Sequence, residues 1–424
     1  MNKPKDIKIV MNAMVGNEAN TITRMLESVA DHIDYYVVQC NGKEDNTKEI
    51  IDTFFTKKGI PGFTYEIDWN FPGFNRDHTL QKCLTADHGC DWVLRMDADE
   101  QLSVTDDFDW TPFTNLETDS FNIVADPGDS LYLRTWLWNA HRPWYFTHDK
   151  RHETIHLPNR DDSENFSRVN LDRGFSHIIT NDGETWEVPM KFLSDALELE
   201  KDKVPSNLVL EDNYHLWYIG KSYSDSYGNP NEFPFGMDHA KEYARRAIFY
   251  FNMYLNKTHN YSNTKTASYT DDMGYYAMFL LGAAYDFIGE TKTALEYLDA
   301  ASLFNPKRNE AIYKRAELFE RLGNFAAMFK CTKQLVEITR VNPFPDSAFM
   351  LHNSAYYDTS PLPTWMHIKA LKSNKLDYSD TVQRLQSKFN ELPEYITNSF
   401  QPTEQTDPAS EEPTSSTGVF GITR

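Results

Sequence analysis

Residues 92–100 read WVLRMDADE, an apolar strand-like segment that runs directly into three carboxylates. Upstream of it, three short apolar segments alternate with three segments whose apolar residues recur at helical spacing. Four strands alternating with three helices predict a parallel, doubly wound sheet in an α/β fold. Ligands bind beyond the carboxyl ends of the strands in such sheets, so residues 97–100 are predicted to lie at a binding edge. The other predicted strands begin at Ile7, Tyr35 and Phe63, and the predicted helices include Ile22–Val29, Ile50–Phe55 and Leu80–Leu84.

The composition is that of a folded, acidic protein. The 424 residues include 40% hydrophobic and 14% aromatic residues, and the formal net charge is −21. This negative charge argues against non-specific nucleic-acid binding and against a polybasic membrane patch. The four cysteines show no C-x-x-C spacing, which favours reduced thiols. The sequence has no apolar run of about 18 residues and no signal peptide, so we expect a cytoplasmic protein without a transmembrane segment.

Asp97 and Asp99 form a D-x-D pair at the predicted binding edge. Two carboxylates two residues apart at a strand end can converge on one hard cation and leave coordination positions for a diphosphate. From Asp97 to Leu133 the sequence holds ten acidic residues and no Lys or Arg, which predicts a negative field that favours a divalent cation. Residues 134–190 show no clear periodicity and are predicted to be irregular, site-building structure.

Beyond about residue 205 the sequence becomes helical and repetitive. Gly289 recurs as Gly323, a spacing of 34 residues (323 − 289), which is the period of tetratricopeptide repeats. Residues 219–223 resemble residues 281–285, which suggests an earlier repeat. The predicted domains are therefore an α/β domain at 1–204, tetratricopeptide-like repeats at 205–345, an additional helical segment at 346–400 and a disordered tail at 401–424.

Residues 152–156 read HETIH, which matches the H-E-x-x-H signature of zinc metalloproteases. That signature needs both histidines one turn apart on a helix. Thr154 and Ile155 are β-branched and Pro158 follows closely, so a helix is not expected here. No third-ligand motif follows with the expected spacing, and the protease interpretation is disfavoured.

Several segments together resemble family 2 glycosyltransferases of the GT-A fold, in the branch fused to tetratricopeptide repeats. They are residues 14–19 (MVGNEA), 41–47 (NGKEDNT), the Arg76-Asp77 pair and residues 95–100 (RMDADE). The resemblance covers roughly residues 7–220. It implies that residues 1–204 form a GT-A nucleotide-sugar-binding domain with a mostly parallel sheet, followed by an α-helical tetratricopeptide-like repeat domain.

The resemblance also implies roles for individual residues. Glu153 is implied as the general base that takes a proton from the acceptor hydroxyl. The alternative for Glu153 is a structural role, paired with Arg151. Asp97, Asp99 and His177 are implied as ligands of Mn2+ or Mg2+, although the choice between His177 and the segment Asn181-Asp182 stays open. The implied nucleotide-binding residues are Val15, Glu18, Cys40, Asn41, Asp45, Arg76 and Asp97.

These expectations describe an enzyme that moves a sugar from a UDP- or GDP-linked nucleotide-sugar donor to a glycan or protein acceptor, with inversion. The alternative is a non-catalytic repeat scaffold that binds a protein partner and carries a degenerate nucleotide-sugar domain. The intact Asp97 and Asp99 argue against the scaffold, and Cys40 argues for it, because the family usually has an Asp near that position. A dinucleotide oxidoreductase is disfavoured because no G-x-G-x-x-G follows the first strand. The repeats are expected either to support the catalytic domain or to form a groove for a peptide or protein.

Overall fold

The computed structural model describes residues 3–42, 44–126, 130–148, 153–158, 167–171, 174–179, 187–203, 213–227, 236–258, 269–341, 350–352, 362–389, 392–393 and 396–397. The predicted disordered tail at 401–424 lies outside the described residues, as do Arg151, His152 and the Asn181-Asp182 segment. Within the described ranges, no helix is both long and apolar enough to cross a membrane.

The chain begins with the predicted alternation of strands and helices. Its elements are β1 (Ile9–Val15), α1 (Ile22–Val29), β2 (Tyr35–Cys40), α2 (Thr47–Lys58), β3 (Gly62–Glu66), α3 (Pro72–Thr85) and β4 (Trp92–Met96). α1 packs on the sheet because Ile22, Met25, Leu26 and Val29 share one face, and all four are fully buried. α3 begins at Pro72, whose fixed φ suits the first turn of a helix.

These four strands are parallel and lie in the order β3-β2-β1-β4. Both faces of β1 are buried. Ile9, Met11 and Ala13 join the core that α1 and α2 cover, whereas Val10 joins a second core with residues of α3. A parallel sheet covered by helices on both faces requires strands of this kind.

Asp34 joins the start of β1 to the start of β2 through hydrogen bonds and ion pairs. Its carboxylate accepts a hydrogen bond from the backbone N–H of Ile9 at 3.0 Å and pairs with Lys3 and Lys8 at 2.8 and 2.9 Å. Burial alone would raise the pKa of Asp34, but the hydrogen bonds from the lysines and from Ile9 outweigh it and lower the pKa. The ionised carboxylate therefore stabilises the folded state.

The second half of this domain adds strands that the sequence did not predict. They are β5 (Glu100–Val104), β6 (Ser120–Asp126), β7 (Ser130–Asn139), β8 (Tyr145–Phe146), β9 (Ile155–His156), β10 (Arg168–Asn170) and β11 (Phe175–Ile179). β7 runs antiparallel to β4 and β6, β11 lies between β6 and β5, and β8 pairs with β9. The prediction of irregular structure over 134–190 is therefore wrong for the residues of β7 to β11. In β7 the neighbouring Leu137 and Trp138 are both fully buried, which removes the alternation that marks a half-buried strand.

The remaining helices pack one against the next along the chain. They are α4 (Glu187–Lys203), α5 (Asn213–Ser226), α6 (Met237–Thr258), α7 (Tyr269–Phe287), α8 (Thr291–Phe304), α9 (Glu310–Arg321), α10 (Phe325–Val341), α11 (Leu362–Ser373) and α12 (Ser379–Lys388). α4 already shares a core with α5. Helical packing therefore begins ahead of the boundary at residue 204 that the sequence predicted.

The 34-residue period corresponds to the helix pairs α7–α8 and α9–α10. Gly289 and Gly323 lie in equivalent turns with φ of +92° and +68°, a conformation that glycine adopts without strain. Gly282 approaches α8 so closely that a Cβ there would lie 2.5 Å from Cγ of Leu298, and Gly220 makes a similar close approach from α5 to α6. The two similar segments of sequence therefore mark the same kind of helix contact. The predicted fold class, an α/β domain followed by helical repeats, is confirmed.

A short strand after the repeats returns to the first domain. β12 (Met350–His352) pairs antiparallel with residues 130–132 of β7. Tyr132 of β7 pairs with Ala125 of β6 and with Met350 of β12, so β12 lies on the side of β7 opposite β6, where β4 pairs with residues 137–139. The chain beyond the repeats therefore adds a strand beyond the carboxyl end of β4.

Candidate functional site

Three loops at the carboxyl edge of the parallel strands are joined by hydrogen bonds. Asn41, after β2, donates its backbone N–H to the carbonyl of Val15 at the end of β1 (2.8 Å). Its side-chain amide donates to the carbonyl of Ile67 after β3 (3.1 Å). The structure thus brings Val15 and Asn41 together, two of the positions for which the family resemblance implies nucleotide binding.

Glu18 and Asp45 lie where the loops after β1 and β2 meet. The backbone N–H of Glu18 donates to Oγ1 of Thr47 (2.7 Å), and that of Ala19 donates to the carboxylate of Asp45 (2.9 Å). The hydrogen bond from the Thr47 hydroxyl lowers the pKa of Asp45, and the Ala19 N–H acts in the same direction. Asp45 therefore holds the two loops together.

Cys40 differs from these residues because its thiol is fully buried in the core that α1 and α2 cover. Burial raises the pKa of this thiol to about 12. The Cys40 carbonyl accepts a hydrogen bond from the backbone N–H of Ile67 (3.2 Å). In this arrangement the side chain of Cys40 belongs to the core, and its backbone helps to join the loops at the edge.

Arg76 links two of the predicted site residues. It lies in the second turn of α3 and pairs with Asp97 after β4, with 3.0 Å between Nη1 and Oδ1. Through Nε it also pairs with the carboxylate of Glu153. Burial alone would lower the pKa of Arg76, but the charges of Asp97 and Glu153 outweigh it and raise the pKa. A charged guanidinium therefore bridges the two carboxylates, and these three side chains are named the Arg76 bridge below.

The segment containing β8 and β9 brings Glu153 to this position. Asp77, the residue after the bridging arginine, accepts a hydrogen bond from the backbone N–H of Phe146 in β8 (2.9 Å). Next to the strands, the backbone N–H of Thr147 donates to the carbonyl of Thr154 (2.9 Å), and Glu153 directly precedes Thr154. α3 thus fixes both the arginine and the segment that carries its second partner.

Asp97 is held by a second guanidinium as well. Nη2 of Arg95 lies 3.3 Å from the carboxylate oxygen that Arg76 does not contact. Burial acts to raise the pKa of Asp97, but the charges of Arg76 and Arg95 hold it far below its ordinary value. Burial, and then repulsion from Arg76, lower the pKa of Arg95 to about 10. Asp97 is therefore ionised at neutral pH, with both oxygens engaged by arginines.

Glu100 forms a second buried cluster beside the Arg76 bridge. It pairs with Arg134 of β7 and lies 3.3 Å from Nδ1 of His177 in β11, and both Glu100 and His177 are almost fully buried. The guanidinium carbons of Arg95 and Arg134 lie 4.0 and 4.1 Å from the ring centre of Trp136. Cation–π attraction is appreciable at these distances, so one indole ring supports both arginines.

The candidate metal ligands differ in their availability. Asp99 is exposed, but neighbouring protein atoms remove part of the water from around its carboxylate. This desolvation, followed by repulsion from the charges of Asp97 and Glu100, raises the pKa of Asp99. Nε2 of His177 is buried without a hydrogen-bond partner while Nδ1 faces Glu100, an arrangement that metal-binding histidines use. In the part of the chain that the structure describes, no three His, Cys, Asp or Glu side chains lie close enough together to hold a metal. The donor atoms of Asp99 and His177 suit a cation, but the described side chains do not form a complete metal site, and Asp97 would have to leave an arginine to join them.

Residues 153–156 do not form the helix that a metalloprotease site needs. Ile155 and His156 form β9, and Nε2 of His156 lies 2.6 Å from Oγ1 of Thr154. The expectation that β-branched residues disfavour a helix here is confirmed.

Arg95, Arg134 and Trp136 were not among the site residues predicted from the sequence. The acidic window that predicts a negative field ends one residue before Arg134, and Arg95 precedes it. The carboxylates that meet at the site are in fact largely balanced by guanidinium groups. Two signals could have revealed this: an arginine within an apolar strand, and the i, i+2 spacing of Arg134 and Trp136, which places both on one face of a strand.

No protein-family model matches the chain, and no curated protein matches it significantly. Among solved structures, residues 1–349 of S. aureus TarS in complex with UDP-GlcNAc match with a TM-score of 0.35 and 13% identity, over 69% of this chain and 92% of that one. MamA matches with a TM-score of 0.29 and 16% identity, over 47% of this chain and 86% of that one. BtubC from P. vanneervenii matches with a TM-score of 0.29 and 12% identity, over 57% of this chain and all of that one. These similarities are distant and assign no function to this chain.

Proposed function

We propose that the protein is a glycosyltransferase that moves a sugar from a UDP- or GDP-linked donor to a glycan or protein acceptor, with inversion at the anomeric carbon. The Arg76 bridge carries the proposal. Asp97 follows β4, Arg76 lies on α3 and Glu153 lies far along the chain, yet the three meet beyond the carboxyl ends of parallel strands. Such edges bind nucleotides in α/β folds. A degenerate domain could replace these residues at little cost, because replacing a buried ion pair by apolar side chains is often neutral or stabilising.

In the proposed reaction, Glu153 acts as the general base. Its carboxylate accepts the proton of the acceptor hydroxyl while that oxygen forms a bond to the anomeric carbon of the donor. The bond between the anomeric carbon and the diphosphate oxygen breaks at the same time, and the electron pair leaves with the nucleoside diphosphate. Arg76 orients Glu153 before the reaction and stabilises its charge.

We propose that Asp99 and His177 hold the divalent cation, Mn2+ or Mg2+, when the donor is bound. Bound there, the cation would neutralise charge on the departing diphosphate. The guanidinium groups of Arg76, Arg95 and Arg134 supply further positive charge beside it. We propose a reducing compartment such as the cytoplasm, because all four cysteines are free and buried.

The helical repeats have two proposed roles, as a support for the catalytic domain or as a groove that selects a peptide or protein acceptor. In favour of a structural role, β12 returns from the repeats to pair with β7. A direct test compares transfer to a simple sugar acceptor with transfer to a polypeptide acceptor, both by the 424-residue chain. A groove would favour the polypeptide.

Thermal unfolding of the 424-residue chain with UDP and GDP, each with and without Mn2+, tests the proposal. A ligand at about 100 times its Kd stabilises the native state by about 2.7 kcal/mol. We expect one of the two nucleotides to raise the Tm in the presence of Mn2+, with Mn2+ alone as the control. If neither nucleotide shifts the Tm with any divalent cation, the proposed function is wrong.

A further inference from the structure

Trp69 is a large apolar side chain that remains open to solvent at the binding edge. It lies in the loop between β3 and α3 and is 54% exposed. Among the described residues, no aromatic ring or cation packs against its indole, whereas the nearby Phe74 packs on Phe71, His78 and His148. An exposed tryptophan at a ligand edge leaves a broad aromatic face free for a planar partner.

The backbone that carries Trp69 is fixed on the side that faces α3. Asn75 is fully buried, and its side-chain oxygen accepts a hydrogen bond from the backbone N–H of Asn70 (2.9 Å). Its amide nitrogen lies 3.5 Å from the carbonyl of Asp68. The residues before and after Trp69 are therefore both held by one buried side chain. The indole is exposed, but the loop that carries it is anchored.

The same loop is joined to the predicted nucleotide-binding positions. Ile67, two residues before Trp69, donates its backbone N–H to the carbonyl of Cys40 (3.2 Å). It also accepts a hydrogen bond at its carbonyl from the side chain of Asn41 (3.1 Å). Asn75, which anchors the loop, directly precedes Arg76 in α3, so the loop is joined to the end of β2 on one side and to the helical turn that carries Arg76 on the other.

We propose that Trp69 stacks on the nucleobase of the donor. The inference rests on the proposed function and names the part of the donor that this loop recognises. Stacking on an aromatic side chain uses the π-face that every base has, so Trp69 contributes affinity with little preference between uracil and guanine. The fixed loop lowers the entropic cost of binding because the indole is already positioned.

Calorimetric titration of the 424-residue chain in Mn2+ tests this inference. The probes are UDP, GDP and inorganic diphosphate, and the variants are Trp69→Ala and Trp69→Phe. Stacking on an aromatic side chain contributes about 1–3 kcal/mol per base, so Trp69→Ala should raise the Kd for UDP and GDP by roughly 5- to 140-fold. Diphosphate, which has no base, should bind the variant as it binds the unaltered chain. Trp69→Phe should recover much of the loss.

Phe249→Ala is the matched control, since Phe249 is 47% exposed on α6 in the helical domain and should leave all three affinities unchanged. Quenching of tryptophan fluorescence by UDP should also fall in Trp69→Ala. Equal weakening of UDP and diphosphate, unchanged UDP affinity, or an effect confined to the acceptor KM would each overturn the inference. If the unaltered chain binds neither UDP nor GDP, the proposed function itself fails; if it binds them and Trp69→Ala binds them equally well, the inference alone fails.

Discussion

Replacing Arg76 by methionine tests whether the Arg76 bridge holds the site together. Methionine has a similar length but no charge, so the substitution removes both ion pairs with little change in side-chain volume. Asp97 would keep one guanidinium partner, Arg95 at 3.3 Å. Glu153, which is 10% exposed, would lose the arginine that bridges it to Asp97.

The expected loss of stability follows from the burial of these charges. At an effective dielectric constant of about 20, two unit charges about 4 Å apart attract by ~4 kcal/mol, and desolvation offsets part of that energy. Removing one partner of a buried pair costs about 3–5 kcal/mol because a charge is left uncompensated. Asp97 is 26% exposed and retains Arg95, so we expect the lower end of that range. Arg76→Met should therefore reduce the free energy of unfolding by about 3 kcal/mol.

Urea unfolding at pH 7 measures this loss, and a second substitution identifies its cause. In Arg76→Met/Glu153→Gln the unpaired carboxylate is gone, so the double variant should be more stable than additivity predicts by about 1 kcal/mol or more. Arg245→Met is the matched control, because Arg245 is 59% exposed and lies 4.0 Å from its partner. Surface pairs of that kind contribute about 0–1 kcal/mol. The reasoning is refuted if Arg76→Met costs no more than Arg245→Met.

Three further predictions concern the fold and the cation. The folded-state pKa of Asp34 is lowered, so the stability that its carboxylate contributes should be present above the unfolded pKa of about 3.9 and be lost as the pH falls through the folded value. Asp34→Asn should therefore be less stable than the unaltered chain at pH 7. Urea titrations should show this difference shrinking towards pH 3. Gly282→Ala should destabilise the chain by about 1–3 kcal/mol because the added Cβ would lie 2.5 Å from Leu298. Gly274→Ala in the same helix should be neutral or stabilising, because its added Cβ would have its nearest neighbour at 3.5 Å. Equal Tm values for the two variants would contradict this prediction. Chelation of divalent cations should weaken UDP or GDP binding in calorimetry, and Asp99→Asn should make the nucleotide affinity less dependent on Mn2+. Equal nucleotide affinity with and without the chelator would show that binding needs no cation.

Much of the first domain could be predicted from the sequence, because its signals are local. The apolar face of α1 and the four apolar strands predict the β/α series without any long-range information. The later strands escaped prediction because their partners are distant in sequence. β12 is the extreme case, since its three residues pair with β7 more than 200 residues earlier. Such pairing depends on how the helical repeats return the chain, which no local pattern encodes.

The site was predictable as a set of carboxylates but not as a balanced cluster of charges. The motifs of the sequence identify Asp97, Asp99 and Glu153. The pairs of Arg95 with Asp97 and of Arg134 with Glu100 form only when β4, β5 and β7 assemble. The sequence offers Arg151 as a structural partner for Glu153, but Arg151 lies outside the described residues and the partner in the structure is Arg76. That partner is on α3 and lies 77 residues earlier (153 − 76), so its identity follows from packing rather than from spacing.

The most direct test of the central claim is transfer by Glu153→Gln, measured beside donor binding in the same preparation. Glutamine keeps the shape of the side chain but cannot accept the proton of the acceptor hydroxyl. Loss of a general base lowers turnover by roughly 100-fold or more. The account predicts that loss in transfer, with a Kd for the nucleotide-sugar close to that of the unaltered chain. Turnover at the unaltered rate in Glu153→Gln, with donor binding intact, would contradict the account and return Glu153 to a structural role.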